Sequence, residues 1–172
     1  VDANGRQLPY IDQVAMTVTE SRLIPAKCNA GESDLQARGL SFSDIMALKQ
    51  GEARSGYVTL LWPASAGSQM ALYPNLNHVR APFRAVLRDV RFRRALSLGI
   101  DRHMINRSLY FGLAGEANNT VLPQSPLYSE DLARQWAMYD PARANQLLDA
   151  MGLTGRGGGG IRKLPDGSAL EL

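Results

Sequence analysis

A cluster of arginines is the part of this sequence best suited to chemistry. The stretch DVRFRRALSLGIDR, residues 89–102, holds four arginines in fourteen positions, and guanidinium groups bind carboxylates and phosphates through paired hydrogen bonds. At 100° per residue, a helix over this stretch has one apolar face, and Arg93 and Arg94 lie on the opposite face. Two interpretations follow. The pattern favours a solvated face on a core helix, and the alternative is an anion-binding surface.

No residue pattern typical of a catalytic or metal centre accompanies the arginines. The two histidines, His78 and His103, lie in different segments without Cys, His or carboxylate neighbours at metal-ligand spacing. The glycine run 157–160 lacks the Lys-Ser or Lys-Thr that a phosphate-binding loop requires. The single cysteine, Cys28, excludes an internal disulfide and is expected to be a small buried apolar side chain. The sequence therefore predicts no catalytic residue, no metal, no cofactor and no enzyme activity.

Composition narrows the class of protein further. The chain has 172 residues, of which 45% are hydrophobic and 20% charged, as in globular proteins. Nineteen basic against 16 acidic residues leave a net charge of +3, too small to predict nucleic-acid binding by itself. No apolar run approaches the roughly 20 residues of a spanning helix, so no direct membrane span is expected. The first residue is Val1 and no leader sequence opens the chain, which favours an excised internal piece without its signal peptide.

The first half of the chain combines strand and helix patterns. Apolar and polar residues alternate over 11–19 and predict a strand with one buried face. A short helix is expected after residue 21, and a second helix after Ser41, where Asp44 completes an imperfect capping box. YVTLLW (57–62) and QMALYPNLN (69–77) are typical of two more strands. Residues 1–77 therefore predict the order strand, helix, helix, strand, strand.

The second half, residues 78–172, is predicted to be mainly helical. Asp89, Asp101 and Asp140 each stand where a helix N-cap is expected. Pro141 then falls at a first helical position, which proline favours. The pair Asp166-Gly167 predicts the turn of a C-terminal hairpin. The whole is a mixed α/β fold with a domain boundary near residues 77–82.

Several stretches in order resemble the bacterial extracellular solute-binding proteins of family 5, which serve peptide, oligopeptide and nickel ABC importers. They are LPYIDQVAMTVTESR, AGESDLQ, DVRFRRALSLGIDRHMINRSLYFGLA, NNTVLPQSPLY, and DPARANQLLDAMGL leading to GIRKLPDG. Each is weak alone, and their order and spacing make the resemblance specific. It covers nearly the whole chain.

The resemblance implies a fragment of a two-lobed periplasmic binding protein, type II and peptide-binding class, that spans the hinge between lobes. Residues 1–77 would belong to the lobe containing both termini of the longer protein, and residues 78–172 would begin the second lobe. The implied function is capture of a peptide or similar small polar solute in the periplasm, for delivery to an ABC permease in the inner membrane. The alternative is a basic helical module that binds nucleic acid. The partners that the resemblance implies are the ligand and the permease, and they do not include nucleic acid.

The resemblance also points to site residues. Carried over by position, the ligand-binding candidates are Gln36, Arg38, Trp62, Ser68, Gln69 and Tyr73. The hinge would run through Asn75, Asn77 and Arg80, and the segment 75–80 is expected to change its backbone angles between open and closed forms. The usual anchors for peptide termini lie largely outside this stretch, so weak binding is expected of the chain alone. By the same comparison, the arginines of residues 89–102 would hold loops or face water.

Overall fold

The computed structural model describes residues 1–62 and 67–171. The described chain divides into two units, Val1–Leu61 and Trp62–Leu172. The expected lobe boundary after residue 77 concerns a longer protein and stays a prediction.

Two helices form the packed part of the first unit. Helix α1, Ile24–Asn29, has a proline in its first turn, and helix α2, Ile45–Ser55, follows a 3-10 turn, Phe42–Asp44. The predicted capping box is confirmed, because the Ser41 and Asp44 side chains each bond the other residue's backbone N–H. The helices pack closely, since a Cβ on Gly51 would lie 1.7 Å from Asn29 Oδ1. Cys28, Ile45 and Leu48 are buried, as expected for Cys28.

The predicted strands at 11–19, 57–62 and 69–77 are wrong as paired strands. Across residues 1–62 and 67–171, the β-pairing consists of two isolated bridges near the C-terminus. Val14, Met16 and Val18, the face predicted to be buried, are 75%, 88% and 97% exposed. An alternating pattern encodes a strand only when a neighbouring strand supplies hydrogen bonds and a layer covers its apolar face. The described residues bring neither to these segments.

Among its described residues, five α-helices build the second unit. Their bounds are α3, Ala81–Arg88; α4, Val90–Leu98; α5, Arg102–Tyr110; α6, Glu130–Arg134; and α7, Pro141–Asp149. The three predicted N-caps are confirmed, because carboxylates of Asp89, Asp101 and Asp140 accept hydrogen bonds from backbone N–H groups two or three residues on. Each such cap contributes about 1 kcal/mol of helix stability.

The core of the second unit is built around α4, which packs on α7 and on α3. One cluster of buried side chains joins α3 and α4 to the C-terminal segment, and a smaller one joins α4 to α7. Their members are Phe83, Val86, Leu87, Phe92, Leu153 and Leu164 in the first, and Ala95, Leu98 and Ala144 in the second. The face of α4 predicted to be apolar is thus the buried one, and this face fixes where the arginines of α4 lie.

The C-terminal segment folds back on α7. The antiparallel bridge of Lys163 with Ala169 encloses the predicted turn, and a second bridge, Arg156 with Arg162, encloses the glycine run before it. Gly167 in the predicted turn has φ of +82°. Arg162 is 7% exposed, and its guanidinium donates to the Asp149 carboxylate at 2.6 Å. A buried arginine is stable only when its donors are satisfied, so this contact ties the tail to α7.

Candidate ligand-binding pocket

The arginines around α4 bind mostly backbone carbonyls of the protein itself. Arg91 pairs with the Asp89 carboxylate and donates to Ala150 O at 2.9 Å. Arg93 Nη1 donates to Leu87 O at 3.0 Å, an orphan carbonyl at the end of α3. Such contacts fix loops and helix ends, in agreement with the structural role that the resemblance implied.

Ser97, Arg102 and Asn118 form a carbonyl clamp that holds residues 135–137. Arg102 Nη1 donates to Ala137 O at 3.0 Å, and Ser97 Oγ donates to Trp136 O at 2.8 Å. Asn118 Nδ2 donates to the carbonyl oxygen of Gln135. Burial lowers the pKa of the Arg102 guanidinium below its usual value. Three consecutive carbonyls are therefore fixed by three side chains from α4, the start of α5 and the loop after α5.

A buried asparagine fixes the loop that follows α5. Asn106 Nδ2 donates to Ala114 O at 2.9 Å, and its Oδ1 accepts from Ala114 N at 3.0 Å. The same Nδ2 reaches Glu116 Oε1 at 3.1 Å. This bond, with a smaller contribution from His103, lowers the pKa of Glu116 below its usual value. These bonds therefore fix the position of the loop where it continues into residues 115–119.

The segment 67–74 lies against the same loop. A Cβ on Gly67 would stand 1.9 Å from Thr120 O, so only glycine permits this approach. Asn119 Nδ2 donates to the Tyr73 hydroxyl at 3.3 Å. The segment is therefore joined to the loop near both of its ends.

A cavity of about 500 Å³ lies between segment 67–74, helices α4 and α5, and residues 115–119. Its size suits a small ligand. Its walls are mostly apolar, with a few convergent amide, hydroxyl and guanidinium groups, and they carry no carboxylate. We call it the ligand pocket. Its apolar lining includes Met70, Leu72, Leu96, Ile100 and Ile105, and its polar lining includes Arg93, Ser97, Arg102, Asn106, Asn118 and Asn119.

Three of the six predicted ligand-binding residues come together here. Ser68, Gln69 and Tyr73 all line the ligand pocket. Gln36 and Arg38 lie in the first unit, where the Gln36 amide donates to the Arg38 carbonyl. Trp62 is 75% exposed and does not line the pocket. Ligand contact by any of the six stays a prediction.

The predicted hinge residues contact residues near both ends of α3. Asn77 Oδ1 accepts from Arg88 Nη2 at 2.9 Å, and the Asn75 side chain accepts from Asn77 N at 3.0 Å. The Arg80 guanidinium lies 4.6 Å from the centre of the Phe83 ring. These contacts define one conformation of the segment, and its rotation in a longer protein stays a prediction.

Sequence reasoning missed the asparagines and Ser97. In the sequence, Asn118 and Asn119 stood out only within the stretch NNTVLPQSPLY, and Ser97 only within DVRFRRALSLGIDR. The available signal was the Asn-Asn pair directly after a helix and its short loop, because adjacent amides offer both donors and acceptors to neighbouring backbone.

The described residues hold neither a membrane-spanning helix nor a metal-binding cluster. No helix within 1–62 and 67–171 has the length and apolar character needed to cross a membrane. In the same part of the chain, no group of three or more His, Cys, Asp or Glu side chains is placed to hold a metal ion.

Comparison with known proteins identifies a family and a similar solved structure. The family model for bacterial extracellular solute-binding proteins, family 5 Middle, matches residues 3–171. A solved structure named oligopeptide-binding protein OppA superposes with a TM-score of 0.66 at 37% sequence identity. The match covers 87% of this chain and 24% of that one, so the chain spans about a quarter of its solved relative. Among curated proteins, no match was found.

Proposed function

The chain belongs to the bacterial extracellular solute-binding proteins of family 5, and from this membership we propose that it is part of the substrate-binding component of an ABC importer. That component captures a peptide or similar small polar solute outside the cytoplasmic membrane, in the periplasm. It delivers the solute to a membrane permease and performs no reaction on it. The name of the solved relative, an oligopeptide-binding protein, supports peptides as the ligand class.

The observation that carries the proposal is the ligand pocket itself. Apolar walls with a few fixed amides and hydroxyls suit a peptide, whose side chains are varied and whose backbone needs hydrogen bonds. Ser68, Gln69 and Tyr73 supply polar groups on one wall. Asn118 and Asn119 supply them on the facing loop.

Capture by a two-lobed protein is a shift between open and closed populations. A ligand that contacts both lobes only in the closed form favours that form by its differential binding free energy. The proposed hinge at residues 75–80 would absorb the change in backbone angles. The permease would then recognise the closed form.

The nucleic-acid alternative receives no support from the comparisons. Several arginines already donate hydrogen bonds to backbone carbonyls of the protein, which leaves fewer donors for phosphates. They are Arg88, Arg91, Arg93 and Arg102. A gel shift with steep salt dependence would revive this alternative.

A pocket-filling substitution tests the proposal. Ala117 lines the ligand pocket, and Ala117→Phe would fill part of it. Ala142→Phe adds the same ring at an exposed position of α7. Peptide mixtures are titrated to millimolar concentration by calorimetry, because weak binding is expected of this chain. We expect peptide binding by the chain and by the Ala142 variant, and its loss in the Ala117 variant. Equal binding by both variants, or none by the unmodified chain, contradicts the proposal.

A further inference from the structure

The two sides of the ligand pocket differ in what they offer to a ligand. One side is segment 67–74 with Asn119, and the other is formed by α4, α5 and the link between them. Both sides carry polar and apolar side chains. They differ in whether the polar groups already have hydrogen-bond partners, because a group bonded within the protein has little capacity left for a ligand.

The side formed by α4 and α5 has an aliphatic wall. Leu96 lies near the end of α4, Ile100 in the link that follows, and Ile105 within α5. We call these three residues the aliphatic wall. All three line the ligand pocket and are half-buried, so each still exposes part of its carbon surface. Removing such surface from water is the main favourable contribution to most binding.

The polar neighbours of the aliphatic wall are already bonded within the protein. The Asn106 amide bonds the backbone of Ala114 through both its donor and its acceptor. Ser97 and Arg102 donate to the carbonyls of the clamp. Arg93 Nη1 donates to two carbonyls at the end of α3. A polar ligand group placed on this wall would lose its hydration and find few free partners.

The opposite side keeps free hydrogen-bonding groups. Gln69 has no hydrogen-bond partner among residues 1–62 and 67–171, and its amide offers both donors and an acceptor. The Tyr73 hydroxyl accepts from Asn119 Nδ2 at 3.3 Å, which leaves its own O–H free to donate. Donors and acceptors side by side suit the N–H and C=O groups of a peptide backbone.

From this asymmetry we infer that the ligand pocket selects peptides with an apolar side chain, which lies against the aliphatic wall. The peptide backbone then bonds Gln69 and Tyr73 on the opposite side. An apolar side chain gains free energy on this wall, whereas a polar side chain of equal size loses its hydration there. The inference rests on the proposed function, because it names the class of side chain that the captured peptide carries.

Three capped tripeptides test the class of side chain. Each is an N-acetylated and C-amidated Gly-Xaa-Gly with leucine, asparagine or alanine at its centre, so that no terminal charge is present. Leucine and asparagine have nearly the same shape and differ in polarity. Burial of one methylene raises affinity about four-fold, so the leucine peptide should bind about eight- to sixty-fold more tightly than the alanine peptide. Its advantage over the asparagine peptide should be at least as large.

Nuclear magnetic resonance of isoleucine δ-methyl groups follows these titrations and shows where the peptide binds. Ile100→Val and Ile105→Val assign the two wall signals, because each substitution removes one of them. The leucine peptide should shift both signals. The asparagine peptide should leave them unchanged at the same concentration.

Two variants and a control separate the sides of the pocket. Ile105→Ala should lower the leucine preference several-fold and keep the affinity for the alanine peptide. Gln69→Ala should weaken all three peptides alike. The control Leu109→Ala removes an aliphatic side chain at an exposed position of α5 outside the pocket lining, and it should keep the full preference. Far-ultraviolet circular dichroism checks that each variant is folded.

The outcomes separate this inference from the proposed function. Equal affinities for the leucine and asparagine peptides in the unmodified chain would overturn the inference and leave peptide capture intact. A leucine preference that persists undiminished in folded Ile105→Ala has the same meaning. If Ile105→Ala does not fold, the methyl signals of the unmodified chain decide, and a leucine peptide that binds without shifting them overturns the inference.

If no peptide binds, the proposed function fails, and two small amides decide the inference. Isocaproamide carries the leucine side chain, and succinamide has nearly the same shape with a second amide in place of the branched end. A shift of the Ile100 and Ile105 methyl signals by isocaproamide and not by succinamide supports an apolar site on the aliphatic wall. Equal shifts by both amides, or no shift by either, overturn it.

Discussion

Replacing Arg102 by methionine should destabilise the second unit strongly. The guanidinium donates to Ser97 O at 2.8 Å, Ser97 Oγ at 2.9 Å and Ala137 O at 3.0 Å. A hydrogen bond to a charged group contributes about 1.5–3 kcal/mol. Three of them at a half-buried site, discounted for solvent, give an expected loss of about 2–4 kcal/mol in the free energy of unfolding.

Thermal unfolding followed by circular dichroism measures this loss. For a chain of this length the midpoint should fall by about 5–15 °C. The matched control is Arg107→Met, which removes the same charge from an exposed position of α5. Among the described residues, Arg107 has no polar partner, so its substitution should change stability by less than about 0.5 kcal/mol.

Arg102→Lys separates charge from geometry. A lysine keeps the positive charge and lacks the planar fork that reaches Ser97 and Ala137 together. We expect its unfolding midpoint to lie between those of the chain and of Arg102→Met. Equal midpoints for Arg102→Met and Arg107→Met would refute the reasoning, because the clamp would then contribute nothing beyond a surface charge.

Three further predictions concern the tail, a helix cap and the pocket wall. Arg162→Leu should cost about 2–4 kcal/mol in urea unfolding, because the guanidinium bonds Asp149 and Asn145 at a buried position; a loss as small as that of Arg107→Met would contradict this. The bond from Arg91 holds the pKa of Asp89 below its usual 3.8, so its stabilising effect is present above that value and is lost as the pH falls through the lower folded pKa. Unfolding free energies of the chain and of Asp89→Asn should therefore differ at neutral pH and converge in acid; a difference that persists in acid would count against it. Gly67→Ala should weaken peptide binding in calorimetry, because its Cβ would meet Thr120 O, whereas Gly115→Ala, also on the pocket wall, meets nothing within 4 Å; equal effects would disprove the close approach.

Helix ends could be predicted from the sequence because they depend on residues close by in the sequence. Asp89, Asp101 and Asp140 satisfy orphan N–H groups within three residues, and no distant part of the chain is needed. The strands at 11–19 and 57–62 depend instead on partner segments. The alternation of apolar and polar residues indicates which face of a strand would be buried. It does not indicate whether a partner strand is present.

The pocket could be predicted only in part for a similar reason. The resemblance supplied Ser68, Gln69 and Tyr73 on one wall. The facing wall comes from α4, α5 and residues 115–119, which meet segment 67–74 only after the chain has folded. Trp136 gave no signal at all, because a left-handed backbone is expected at glycine, and here tertiary hydrogen bonds impose it on a tryptophan.

Stability and binding are coupled at one wall of the ligand pocket. Ser97 and Asn118 line the ligand pocket, and together with Arg102 they hold the carbonyls of residues 135–137. A substitution in this clamp therefore lowers the unfolding free energy and alters the pocket wall in the same step. A change in affinity there reports ligand contact only when the unfolding midpoint is unchanged. Ala117 also lines the pocket and takes no part in the clamp, so Ala117→Phe is the substitution that separates binding from the contribution of the clamp to folding.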